Sequence, residues 1–162
     1  MNLLSAAIGL MITAIVSLSG LEAVNSVISY QQQRNLVAQF RQVYRAVKSY
    51  GGSLCGIAGG STGFVCTSTS MTFSMGQPYS LISAGYLPSG FNFNSLVSRT
   101  PTISLSGQNF VVAATLSSGA VCGNVSIHLE SASCSGATLL LYVPTVTGSA
   151  WTLVNSGRFV YP

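Results

Sequence analysis

Four cysteines carry the clearest chemistry of the sequence. They are Cys55, Cys66, Cys122 and Cys134, in a chain of 162 residues. Zinc ligands usually come as close CxxC or CxxxxC pairs, and these spacings do not match that pattern. Disulfides formed in an oxidising compartment are therefore the favoured interpretation. Three connectivities are possible. The pairing by proximity, Cys55–Cys66 with Cys122–Cys134, closes two short loops, each stabilising by roughly 3 kcal/mol in the chain-entropy model.

The acidic residues and the histidine argue against an enzyme. The chain contains no Asp, its acids are Glu22 and Glu130, and His128 is its single histidine. With no Asp, an Asp-based triad or carboxylate pair is impossible. Glu22 would lie at the edge of the membrane segment, and Glu130 stands alone. The sequence also has no Walker loop, no HExxH and no GxSxG. We therefore expect no catalytic residues, no metal site and no cofactor, and a structural or surface role for His128.

Most of the basic residues fall close together in the sequence. Arg34, Arg41, Arg45 and Lys48 lie within fifteen residues of one another, whereas charged residues make up only 5% of the whole chain. A nucleic-acid reader should join such a patch to a recognisable motif, and none is present. A helix surface that faces solvent or other subunits is the favoured interpretation.

The N-terminal segment is apolar. Residues 1–21 carry no charged side chain, and about 20 such residues can cross a bilayer as a helix. A secretory signal peptide would begin with a basic region, but no Lys or Arg precedes Arg34. The segment therefore predicts a membrane-spanning or subunit-facing helix.

An amphipathic pattern follows without a break. Between residues 22 and 50 apolar side chains recur at steps of three and four, which indicates one helix face. Gly51-Gly52 predicts that the helix ends near Tyr50. A helix from residue 2 to 50 would be about 75 Å long, so only its second half can cover a globular domain. The apolar positions are Val24, Val27, Ile28, Leu36, Val37, Phe40, Val43, Tyr44 and Val47.

The rest of the chain reads as a small sheet. Residues 51–74 resemble a loop, and Pro78 to Tyr86 predicts a short helix ending at Gly85. Three hairpins follow, with strands at Thr102–Leu105 and Asn109–Thr115, Val121–Leu129 and Ala137–Val143, and Trp151–Val154 and Arg158–Tyr161. The prediction is an α+β fold, one long N-terminal helix packed on a small antiparallel sheet. It has an apolar half-helix (1–24), an amphipathic half-helix (25–50) and a globular part (51–162).

The N-terminus and this architecture resemble type IVb pilins. The opening Met1-Asn2-Leu3-Leu4-Ser5 and the following AAIGLMITAIVS look like the mature N-terminus of that family. The family also has a long helix, a loop and a sheet, with a disulfide near the C-terminal part of the sheet. Cys122 and Cys134 occupy the corresponding place. The specific motif covers about 25 residues, and the architecture covers the whole chain.

The resemblance implies a function. It implies a subunit that polymerises through its N-terminal helix into an extracellular type IV pilus, used for adhesion, cell-cell contact or DNA transfer. The alternatives are a minor pilin or tip adhesin that binds a receptor, and a single-pass membrane protein that does not polymerise. A pseudopilin is a closer relative still, but some members carry a calcium site and this chain has too few acids for a typical one.

The same resemblance implies partners and processing. The partners are other pilin subunits, a prepilin peptidase and the pilus assembly machinery. The subunit would reside in the bacterial inner membrane before assembly and on the cell surface afterwards. Met1 would be the processed and methylated N-terminus. The assembly residues implied are Met1, Leu3, Leu4, Ser5, Ile8 and Glu22.

One residue departs from the family pattern. The fifth residue of these pilins is Glu, whose carboxylate pairs with the N-terminal amine of a neighbouring subunit, whereas this chain has Ser5. A hydroxyl can accept a hydrogen bond but supplies no charge. The favoured interpretation is that Ser5 bonds a backbone carbonyl one turn back. The departure also keeps a minor-pilin role open, because some minor pilins lack this Glu.

If Ser5 only bonds a backbone carbonyl of its own helix, another residue can replace it without loss of assembly. We expect Ser5→Glu to leave assembly intact, since a carboxylate at this position is the family's usual residue. Sedimentable fibres formed by the variant and by the unchanged chain would be compared. Loss of fibres in the variant would show that the serine itself is required.

Overall fold

The computed structural model describes the backbone of residues 3–57, 64–145, 152–153 and 159–160, and the side chains of residues 27–55 and 65–145. It is an α+β structure, with one long N-terminal helix and a five-stranded antiparallel sheet, as predicted. The elements are α1 (Leu3–Leu54), β1 (Cys55–Ile57), β2 (Phe64–Cys66), β3 (Ser70–Met71), β4 (Thr102–Ser106), β5 (Asn109–Thr115), α2 (Gly119–Ser126), β6 (Ala132–Ser135), β7 (Thr138–Pro144), β8 (Thr152–Leu153) and β9 (Phe159–Val160).

The five-stranded sheet is built on two tight hairpins. Its strand order is β3-β4-β5-β7-β6, and every pair is antiparallel. Two-residue turns join β4 to β5 and β6 to β7. Each turn begins with a glycine of positive φ, Gly107 at 61° and Gly136 at 60°. A residue with a side chain rarely adopts that conformation, so glycine fixes both turns and hence the register of the sheet.

The core lies between α1 and one face of this sheet. On α1 the buried side chains follow the helical period, so they form a single stripe that faces the sheet. On β5 and β7 buried residues alternate with more exposed ones, as a sheet with one covered face requires. The stripe consists of Leu36, Val37, Phe40, Val43, Ala46 and Val47, and the central sheet residues are Phe110, Val112, Ala114, Leu139, Leu141 and Val143.

The helix ends later than predicted. Gly51-Gly52 does not stop α1, which continues to Leu54. Gly51 is buried, and a Cβ placed on it would lie 3.0 Å from Cδ2 and Cε2 of Phe110. The glycine therefore allows the last turn of the helix to approach the sheet closely, and tertiary packing overrides its weak helix propensity.

Two other local predictions were wrong. Residues 51–74 are not simply a loop, because β1 pairs with β2 and β3 pairs with β4. Pro78 to Tyr86 is not a helix but contains a single turn. The Tyr86 amide donates to the Leu81 carbonyl and the Gly85 amide to the Ile82 carbonyl, and Gly85 has φ 79°. These are the bonds of the Schellman pattern, so Gly85 closes a single turn rather than the predicted helix.

The predicted strand at Val121–Leu129 is instead the helix α2 as far as Ser126, followed by a turn. Ser118 caps α2, since its side chain accepts a hydrogen bond from the Val121 amide. Cys122 and Val125 are buried three residues apart, which fits one face of a helix. The length of the segment suggested a strand, but the cap and this spacing decide for a helix. The strand that pairs with β7 on this side is β6.

The other two predicted hairpins are confirmed. Strands β4 and β5 pair over the predicted residues, with β4 one residue longer. Near the C-terminus, Thr152 pairs with Val160 and Leu153 with Phe159. The predicted turn at residues 155–157 lies outside the described residues.

The neighbouring glycines of α1 provide a matched test of the close packing. Gly51→Ala should destabilise the fold by about 1 kcal/mol, because overpacking against Phe110 exceeds the gain in helix propensity. Gly52→Ala should stabilise it by up to about 1 kcal/mol, because open space surrounds that position. Thermal unfolding of the full chain in detergent measures both. Equal stability of the two variants would contradict the packing assigned to Gly51.

Candidate functional site

The predicted assembly residues lie at the start of α1. The backbone of Leu3, Leu4, Ser5, Ile8 and Glu22 is helical, but their side chains are outside those that the structure describes, as is the whole of Met1. Within the described residues no helix is long and apolar enough to span a membrane. The predicted apolar span, residues 1–24, falls outside the described side chains.

The next part of α1 presents apolar side chains to solvent. Val27, Ile28 and Tyr30 are 56%, 47% and 61% exposed. The first buried residue of the described part of the helix is Leu36. Val24, where the predicted amphipathic pattern begins, lies outside the described side chains. Among the described positions of that pattern, the buried ones begin at Leu36, and Val27 with Ile28 form an exposed apolar patch.

Polar contacts fix α1 against the loop that precedes β4. The Gln39 side chain donates to the Asn92 carbonyl at 2.8 Å and accepts from the Asn94 amide at 3.1 Å. The Asn94 side chain donates in turn to the Gln32 carbonyl at 2.8 Å. These three bonds reach one turn beyond the buried stripe, toward the exposed patch. They fix the direction in which α1 leaves the globular part.

A second contact joins α1 to the segment after α2. The Arg41 guanidinium donates to the His128 carbonyl at 3.0 Å. His128 therefore lies in a turn beside α1 rather than in a strand, and its backbone has a structural role. Glu130 is two residues further along and lines, with Arg41 and His128, a surface groove between α1 and this turn. Among the described residues no cluster of His, Cys, Asp or Glu could hold a metal ion.

The cysteines form two disulfides, Cys55–Cys66 and Cys122–Cys134. These are the pairs that proximity in the sequence favoured. The first joins β1 to β2 directly after α1. The second joins the buried Cys122 of α2 to the exposed Cys134 of the edge strand β6. It therefore holds α2 against the edge strand of the sheet.

An aromatic cluster beneath the loop was not predicted. Phe93 lies 5.5 Å from Phe40 of α1, 5.3 Å from Phe73 and 5.1 Å from Phe91, measured between ring centroids. The pairs of Phe93 with Phe73 and Phe91 are edge-on, and such pairs stabilise beyond the area they bury. The cluster could not be predicted from the sequence, because residues 88–100 form no regular element whose period could reveal an inward face.

Comparison with known proteins gives no relative to guide the function. The chain matches no protein-family model, no curated protein and no solved structure.

The second disulfide should be a major source of stability. Replacing Cys122 by Ala and Cys134 by Ser together should lower the free energy of unfolding by about 3 kcal/mol, since a loop of twelve residues is no longer closed in the unfolded chain. Chemical denaturation under oxidising conditions measures the loss. The Cys55→Ala, Cys66→Ser double variant, which opens a loop of similar length, is measured in parallel for comparison. An unchanged unfolding midpoint for the first variant would contradict the assigned role.

Proposed function

We propose that this chain is a pilin-like subunit that polymerises through α1 into an extracellular filament of the type IV pilus kind. The observation that carries the proposal is that, among the described side chains of α1, those from Leu36 onward include the ones buried on the sheet, whereas Val27 and Ile28 are exposed. The long helix packed on an antiparallel sheet and the resemblance of residues 1–25 to type IVb pilins are consistent with it.

The helix is far longer than its domain requires. Its 52 residues correspond to about 78 Å. The buried stripe from Leu36 to Val47 needs only about 18 Å of that length. The remaining N-terminal portion has no charged residue before Glu22. Such a surface is unfavourable in water, so it must be buried in lipid or against other helices.

Helix-to-helix burial gives a mechanism of assembly. In the bilayer the apolar half holds the subunit, and on extraction the same surface is buried between the helices of neighbouring subunits. Each Å² of apolar surface removed from water stabilises by roughly 25 cal/mol. Contacts between different patches of identical subunits do not close on themselves, so they generate an open helical fibre.

The globular part has features suited to the outside of such a fibre. Beyond Gly51 the only charged residues are Arg99, Glu130 and Arg158, so neighbouring subunits would not repel one another strongly. Two disulfides stabilise a small domain whose core consists of one helix stripe and one sheet face. The low charge favours close packing of subunits in a fibre, and the disulfides favour a position outside the cell.

The exposed patch on α1 allows the proposal to be tested without disturbing the domain. Val27→Gln combined with Ile28→Gln should prevent or strongly shorten the fibres, because these side chains are exposed in the single subunit and would be buried between subunits. The thermal unfolding temperature of the subunit should stay unchanged. Electron microscopy of negatively stained protein after removal of detergent measures fibre length.

The matched control is Tyr142→Gln, which alters an exposed apolar residue on the sheet, 37% exposed. This variant should form fibres of normal length. Normal fibres from the Val27, Ile28 variant would contradict burial of this patch. Absence of fibres from the unchanged chain, with specific receptor binding by the monomer, would favour the tip-adhesin alternative instead.

A further inference from the structure

The basic residues of α1 lie on a single face of the helix. At about 100° per residue, Arg34, Arg41, Arg45 and Lys48 fall within an arc of about 60°. They extend over about 21 Å of helix length. This face points away from the buried stripe, whose centre lies on nearly the opposite side. We call these four residues the cationic stripe.

The cationic stripe forms one wall of a surface groove. The groove has a volume of about 690 Å³ and is lined on the α1 side by Arg41, Tyr44, Arg45 and Lys48. The opposite wall is the turn after α2, where Ile127 is 76% exposed. The contact between Arg41 and the His128 carbonyl holds the two walls together. A smaller cleft of about 490 Å³ continues along α1 past Arg34.

The chain itself supplies little negative charge for this groove. Its acids are Glu22 and Glu130, against six Lys and Arg. Glu130 also lines the groove, but its single negative charge stands against Arg41, Arg45 and Lys48, so the groove keeps an excess of two positive charges. A second copy of the chain brings the same excess of positive charge. Charge complementarity therefore favours a different, anionic molecule as the occupant.

We propose that this groove binds single-stranded nucleic acid through its phosphodiester backbone, without sequence preference. Evenly charged phosphates suit a row of cations that follows a straight helix. The groove favours a flexible single strand over a rigid duplex, because the strand can enter between its walls. Tyr44 on the groove wall offers an aromatic ring on which a base can stack. This inference does not depend on fibre formation.

The salt dependence of binding provides a quantitative test. The full-length protein in a non-ionic detergent is titrated into a fluorescein-labelled oligo-dT of about 20 nucleotides, and anisotropy is recorded at several salt concentrations. Four phosphate contacts predict a slope of log K against log[salt] of about −2.8. Arg45→Gln with Lys48→Gln removes two contacts, so the slope should fall to about −1.4 and the low-salt affinity should weaken.

The matched control is Arg99→Gln. Arg99 is exposed and lines a separate cleft with Phe91 and Phe93. Arg99→Gln removes one positive charge, as Arg45→Gln alone does, so these two single variants are compared. Arg45→Gln should reduce the slope to about −2.1 through the loss of one phosphate contact, whereas Arg99→Gln should leave the slope and the affinity at the unchanged chain's values. Equal weakening by the two single variants would overturn the proposal, because binding would then follow net charge alone.

Other polyanions complete the test. A duplex of the same length and heparin are titrated in parallel, with circular dichroism to verify that the variants remain folded. Tighter binding of oligo-dT than of the duplex, lost in the groove variant alone, supports the proposal. Absence of oligo-dT binding at low salt overturns it. Binding of heparin alone would assign the groove to an acidic polysaccharide and would also overturn it.

Discussion

The packing of a narrow apolar stripe of α1 on one face of the sheet is the contact on which the structure depends. Phe40, Val43 and Val47 are completely buried, as is Phe110 opposite them on β5. Closely packed interiors tolerate little change in volume, which explains why the last helical turn carries a glycine beside Phe110. The sheet has no other described helix of comparable length to cover this face, so loss of the stripe would expose most of the core.

The position of this stripe determines what the other surfaces of α1 can do. Among the described side chains, the helix buries one side against the sheet, and the buried positions begin at Leu36. The patch at Val27 and Ile28 lies N-terminal to the buried stripe. The cationic stripe lies on nearly the opposite side of the helix from the buried stripe. One helix therefore carries three separate surfaces along its length and around its axis. In the proposed fibre the buried stripe would serve the core of the domain and the apolar patch the contacts between subunits, whereas the cationic stripe would bind its anionic ligand on the single subunit.

Sequence patterns predicted the parts of the fold that depend on local period and turn chemistry. The face of α1 and the β4–β5 hairpin follow from regular apolar spacing and from Ser106-Gly107-Gln108. Predictions failed where a contact between residues far apart in the sequence determined the local structure. Gly51 looked like a helix stop, but Phe110, far away in the sequence, requires a glycine there. The length of the segment Val121–Leu129 suggested a strand, but Ser118 begins a helix that Cys134 then holds against the sheet.

The candidate surfaces were predicted less completely. The four cations were recognised as one helix surface, but the opposite wall of their groove comes from the turn after α2, which no local pattern locates. The hydrogen bonds of the Gln39 side chain with residues 92 and 94 likewise join positions more than fifty residues apart. Contacts of this separation leave no periodic signal in one sequence, so neither the groove nor the aromatic cluster could be predicted.

The central claim is that α1 is the element through which subunits assemble. Electron microscopy of the purified full-length chain, transferred from detergent to aqueous buffer, tests it most directly. The account predicts thin fibres whose helical reconstruction places α1 at the axis and the sheet outside. Single particles of one subunit under all conditions, or fibres with α1 on their outer surface, would contradict it.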